Sequence, residues 1–169
     1  MRGTARSLVG SLLCVFAVAC ATCPPPPAVS IASPPERAAI DEALDGWHAA
    51  AAASDLEGYL AHMTEEAIFL GTDATERWTV AQLREYARAP FAAGRGWVMR
   101  SVRRDVLVRG DVAWFDEDLE TVNLGPARGS GVVVRDTAGR WRIAHYDLTI
   151  TVPNERFDEV RTLLAAPAP

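Results

Sequence analysis

The stretch Trp141-Arg142-Ile143-Ala144-His145-Tyr146-Asp147-Leu148-Thr149 follows an Asp136-Thr137-Ala138-Gly139 turn near the C-terminus. Side chains on a strand alternate between two faces. Alternation puts Trp141, Ile143, His145, Asp147 and Thr149 on one face, and Arg142, Ala144, Tyr146, Leu148 and Ile150 on the other. The first face begins apolar and turns ionisable as it proceeds. A strand leaving a core to line a pocket carries that pattern, so this face is expected to point inward.

Upstream of this strand the chain reads as three more long strands. They span residues 97–108, 112–122 and 129–136, with the last strand at 140–152. Arg109-Gly110-Asp111, Asn123-Leu124-Gly125-Pro126 and Asp136-Thr137-Ala138-Gly139 separate them and have the composition of hairpin turns. Helices come before the strands and announce themselves by caps. Ser33-Pro34-Pro35-Glu36 is a capping box with proline at the first helical position, and Ile40, Leu44, Trp47 and Ala51 follow at helical spacing. Ser54-Asp55-Leu56-Glu57 and Thr79-Val80-Ala81-Gln82 are two more boxes, and Pro90 is expected to stop the third helix. Residues 67–70 read as one short strand between the second and third helices. Asn154 is placed to cap a last helix through Phe157, Val160 and Leu164. The order α-α-β-α-β-β-β-β-α predicts an α+β domain: helices packed on a strongly curved, mainly antiparallel sheet, forming a cone with an internal cavity.

The N-terminus is set apart from that domain. Arg2 and Arg6 precede an apolar run at residues 8–19, too short to span a bilayer, and Ala17-Val18-Ala19 ends it with small residues. Residues 1–19 therefore read as a secretory signal peptide. Cys20 follows directly, as in a bacterial lipoprotein lipobox, although Ala17 departs from the usual Leu. Cys20 is the candidate lipidation site and membrane anchor, and plain cleavage is the alternative. Residues 20–35 read as a proline-rich extended tether, and residues 36–166 as one domain. The expected location is the cell envelope: lipid-anchored, or periplasmic without the lipid.

All three cysteines (Cys14, Cys20, Cys23) lie before that domain. This excludes disulfides, thiolate nucleophiles and cysteine–zinc sites within it. The formal charge is −5, and every one of the 17 basic residues is Arg. An acidic domain without a basic stripe argues against nucleic acid as a partner. The three histidines lack close ligand spacing, so neither a metal nor another cofactor is expected.

Two motifs resemble the SnoaL-like domains of the nuclear transport factor 2-like superfamily. Gly71-Thr72-Asp73-Ala74-Thr75-Glu76-Arg77-Trp78 resembles the loop after their first strand. Trp141-x-Ile143-x-His145-x-Asp147-x-Thr149 resembles their last strand, with Asp147 at a common second His and Thr149 at a common Ser. The resemblance covers residues 40–155 and implies a cystatin-like cone with a small-molecule ligand. It leaves the reaction open, because isomerases, cyclases, dehydratases and inactive domains share this fold.

On that frame His145 and Asp147 are the candidate catalytic pair, a carboxylate on the same face raising the basicity of an imidazole. Tyr59, Phe69, Trp78, Asp116, Asp118, Arg128, Trp141, Ile143 and Thr149 are the candidate pocket lining. Which face of residues 112–122 looks inward stays open, because each carries one aromatic. Arg128 is placed either to clamp an anion or to pair with Asp116 or Asp118. His48 and His62 lie at the edges of their helical faces and read as exposed or satisfied. Three function classes remain: a tethered binding module, an enzyme of the isomerase, cyclase or hydratase type using His145, and a homodimerisation module closed through the outer sheet face.

Overall fold

The computed structural model describes residues 25–166. Residues 1–19, read above as a signal peptide, and the candidate lipidation site Cys20 therefore lie outside the described residues. The elements are β1 (Ser30–Ile31), α1 (Pro34–Ala52), α2 (Leu56–Ala61), β2 (Met63–Leu70), β3 (Arg77–Thr79), α3 (Val80–Ala92), β4 (Met99–Arg109), β5 (Val112–Thr121), β6 (Ala127–Arg135), β7 (Trp141–Ile150) and α4 (Phe157–Ala165), the last preceded by a 3-10 turn at Asn154–Arg156. One seven-stranded sheet has the order β1-β4-β5-β6-β7-β2-β3. All its neighbours are antiparallel except β2 and β7. This is the expected α+β arrangement of helices on a curved, unclosed sheet.

Local chemistry starts each helix. Glu36 accepts from Ser33 N at 3.2 Å in the α1 capping box, and Gln82 accepts from Thr79 N at 3.0 Å in that of α3. The α2 cap sits one residue later than the sequence suggested: Asp55 accepts from Gly58 N at 2.9 Å. Ser54 is instead in the left-handed region at φ 58°, and its hydroxyl accepts from Gly96 N at 2.9 Å. Pro90 lies inside the last turn of α3 rather than ending it, and the helix runs only two residues beyond it. The first capped helix lays Ile40, Leu44, Trp47 and Ala51 on the sheet, all but removed from solvent.

Two short edge strands escaped the sequence reading. β3 closes one side of the sheet, and β1 covers Leu107 and Val108 on the other. Short strands blunt an edge that would otherwise offer unpaired backbone. The β1 pairing also revises the tether. Arg109 Nε donates to Pro27 O at 3.0 Å, so the chain lies against β4 from Pro27 onward, well before residue 35.

The sheet bends at two bulges. Ser101 and Arg103 face Leu119 and Asp118, leaving Val102 as the extra residue. On β7, Ile143 faces Val133 and His145 faces Val132, leaving Ala144 over. A bulge places an additional residue against one partner and so interrupts simple alternation.

Candidate functional site

The bulge at Ala144 decides what the last strand presents. Trp141 and Ile143 point into the core as expected. Beyond Ala144 the inner residues are Tyr146 and Leu148, both buried, while Thr149 is exposed. His145 and Asp147 therefore lie half-buried on the outer face. Their cross-strand rows agree: His145 aligns with Val132 and Trp114, and Asp147 with Ser130 and Asp116. The expectation that His145, Asp147 and Thr149 share the inner face with Trp141 is corrected by that one inserted residue.

The same rows place the remaining candidates. On β5 the inner residues are Ala113, Phe115, Glu117 and Leu119, so Asp116 and Asp118 face outward. Asp118 accepts from Arg103 Nε at 2.9 Å and lies 3.6 Å from Arg128 Nε. Of the two roles weighed for Arg128, the structure has the ion pair. Tyr59 is fully buried, stacked on Trp47 with centroids 4.9 Å apart. Burial pushes its phenol well above the usual range. Trp141 sits at the far end of β7 from Leu148, with the Arg135 guanidinium 4.4 Å from its ring centroid. Of the candidate lining, Asp118 and Arg128 border an open groove beside Val102, Glu120 and Thr151, and Phe69 and Trp78 reach a cavity.

That cavity is about 200 Å³ and opens at the end of the sheet where β2, β5 and β7 finish and β4 begins. Phe69, Trp78, Tyr86 and Trp97 form its aromatic wall. Successive ring centroids are 5.9, 4.2 and 6.1 Å apart, with interplanar angles of 16°, 30° and 25°. Met99, Leu124 and Leu148 complete the apolar lining, and Thr72, Thr121, Asn123 and Glu76 add polar groups. The loop between β2 and β3 brings Glu76 there. Gly71 N donates to Glu76 O at 2.9 Å, and Glu76 N to Asp73 O at 2.9 Å. Asp73 braces the loop from within, accepting from Thr75 N at 2.8 Å. Those bonds hold its carboxyl below the ordinary aspartate range, the Thr75 hydroxyl having the largest effect. Among the lining residues Glu76 is the one carboxylate, and no imidazole reaches the cavity.

Deeper inside lies a charged cluster that the sequence reading missed. Glu117 is fully buried. It accepts from Arg104 Nε at 2.9 Å and Nη2 at 2.7 Å and from the Tyr146 hydroxyl at 3.0 Å. His48 Nε2 is 2.8 Å from Oε1, the oxygen that also accepts from Tyr146, while both Arg104 bonds go to Oε2. Arg104 also reaches Asp41 at 2.8 Å and Asp45 at 2.9 Å on α1. Burial alone would raise the Glu117 carboxyl, but His48 and Arg104 outweigh it and hold it at about 2. Burial and the neighbouring Glu117 push the Tyr146 phenol well up. Phe69, stacked on Tyr146 at 5.7 Å, stands between cluster and cavity. The cluster thus ties α1 to the sheet without touching the cavity. Its signal in the sequence was Gly129-Ser130-Gly131. A Cβ on Gly129 would lie 2.1 Å from the Tyr146 hydroxyl, and one on Gly131 would lie 2.3 Å from His145 O. Glycine inside a strand marks such close approaches.

Among the described residues no group of His, Cys, Asp and Glu is arranged to hold a metal ion. The family model described as a SnoaL-like domain matches residues 40–153. No curated protein sequence matches this chain. Among solved structures, a cystatin-like domain of unknown function from Nostoc punctiforme PCC 73102 is 17% identical, with a TM-score of 0.62 over 81% of this chain and 90% of its own. A candidate scytalone dehydratase from Novosphingobium aromaticivorans DSM 12444 is 12% identical, with a TM-score of 0.59 over 69% and 85%. A candidate ketosteroid isomerase from Shewanella frigidimarina NCIMB 400 is 16% identical, with a TM-score of 0.51 over 65% and 94%. At these identities the likeness concerns the fold.

Proposed function

The chain belongs to the SnoaL-like domain family of the nuclear transport factor 2-like superfamily, and from that premise we propose that it is an exported small-molecule binding module. Its ligand occupies the aromatic-walled cavity at the open end of the sheet. One observation carries this reading: the cavity combines Phe69, Trp78, Tyr86 and Trp97 with a single carboxylate and no imidazole. A proton-transfer enzyme needs an acid or base within hydrogen-bond reach of its substrate together with a partner group. His145 and Asp147 lie on the opposite face of the sheet, which speaks against their serving this cavity. The volume is below the range of drug-sized pockets, which favours a compact, largely apolar ligand.

Cys20 tethers the module to a membrane, and without the lipid the module is free in the periplasm. This part rests on the sequence of residues 1–20. Replacing Cys20 with Ala and measuring detergent partitioning tests it. Release of the variant alone is expected, and equal partitioning of both forms refutes the anchor.

Tryptophan fluorescence and ligand-observed NMR with a panel of small apolar molecules test the cavity. Binding is expected in the parent and in His145→Ala, and loss of binding in Trp78→Ala. Loss in His145→Ala with retention in Trp78→Ala sinks the proposal and restores the enzyme reading. Leu107 and Trp114 remain partly exposed on the outer face, which favours a homodimer across it. Light scattering distinguishes this from a monomer.

A further inference from the structure

The geometry points to an alkylated ammonium cation as the class of ligand this cavity takes, an inference that rests on the cavity being the binding site. Glu76 Oε2 accepts from Asp73 N at 3.2 Å. Its Oε1 has no donor among the described residues. The carboxylate is held where it is by a glycine, since a Cβ on Gly71 would lie 2.1 Å from Glu76 Oε2. The chain carries 17 arginines, yet none of them lines the cavity. An anion would be desolvated beside a carboxylate with no cation to receive it. A neutral ligand would cover Glu76 and leave its free oxygen without a partner. A cation supplies that partner and is also attracted to the electron-rich faces of Trp, Tyr and Phe.

Alkylation follows from the rest of the lining. A primary ammonium presents three donors and is strongly hydrated. Beyond Glu76 the polar lining side chains are Thr72, Thr121 and Asn123. A nitrogen clothed in methyl groups asks for few acceptors and uses the aromatic wall instead. A cavity of about 200 Å³ suits so compact a group.

Calorimetric titration of the purified protein with choline, with the neutral alcohol in which carbon replaces its nitrogen, and with indole tests the class. Choline is expected to bind about thirtyfold tighter, the equivalent of one desolvated cation–π contact. Glu76→Gln is expected to shrink the difference without abolishing it, since the aromatic wall remains, while both compounds still bind. Equal binding of the two by the parent, or binding of indole with neither, overturns the cation and leaves the cavity standing. Binding of none of the three overturns the cavity as well. Discrimination that survives Glu76→Gln unchanged overturns the role given to that carboxylate.

Discussion

Replacing Glu117 with Gln perturbs the most heavily bonded side chain of the interior. The carboxylate receives two bonds from Arg104, one from Tyr146 and one shared with His48. Glutamine keeps one acceptor oxygen and turns an NH₂ donor toward groups that are themselves donors. It also removes the negative charge beside a guanidinium whose side chain is 4% exposed. Breaking a buried ion pair on one side costs about 3–5 kcal/mol. Arg104 keeps Asp41 and Asp45, which lie nearer solvent, so the low end applies, about 3 kcal/mol. Against a typical domain stability of roughly 5–15 kcal/mol, that is a large fraction. Urea denaturation followed by circular dichroism measures it at neutral pH. The exposed Arg100–Glu120 pair supplies a control, with Glu120→Gln expected to cost under about 0.5 kcal/mol. The double variant Arg104→Met with Glu117→Leu, which removes both charges, is expected to recover most of the loss. A loss below about 1 kcal/mol in Glu117→Gln alone refutes the claim that this cluster holds α1 to the sheet.

The same carboxyl, lowered from 4.5 to about 2 by its partners against the pull of burial, contributes stability that is complete above its unfolded value. That stability is lost as pH falls from about 4.5 toward 2, and an acid titration in which Glu117→Gln unfolds at the same pH as the parent contradicts it. Gly129→Ala is expected to force the Tyr146 hydroxyl away from Glu117 and cost about 1–3 kcal/mol, read as a fall in Tm, while Ser130→Ala on the outer face changes little. Tyr59→Phe is expected to leave stability unchanged or raise it by up to about 1 kcal/mol, because the buried Tyr59 hydroxyl has no partner among the described residues. A substantial loss in thermal denaturation counts against that assignment.

The helices were legible because their signals are local. Ser33 and Thr79 with their acceptors three residues on, and apolar residues at helical spacing, need no knowledge of the rest of the chain. The long strands were legible for the same reason. The site was harder because it depends on which face turns inward, and that is set by pairing between distant strands. Asp116, Glu117 and Asp118 differ little as residue types. Only their partners Ser130, Gly129 and Arg128 across β5 and β6 show that Glu117 enters the core. Ala144 carries no mark of a bulge, yet it reverses the orientation of every residue after it. His48 was indistinguishable from a surface histidine until Glu117 was placed opposite it. Phe69 and Trp78 were found because bulky aromatics flanking a turn-rich loop bound a cavity in either register.

The docking of the N-terminal segment along β4 has a consequence for orientation. Pro27 rests against Gly110, at the end of β4 away from Met99. Residues 21–26 are then all that separates a lipid on Cys20 from the body, a reach of roughly 20 Å at about 3.1–3.6 Å per residue. A leash that short lets the domain tilt but not turn over. If Cys20 carries the proposed lipid, the hairpin at Gly110 is expected to face the bilayer, and the cavity beside Met99 to open a strand's length higher, toward the aqueous side. A molecule dissolved in the compartment would meet the mouth directly, whereas one still embedded in the membrane would have to leave it first.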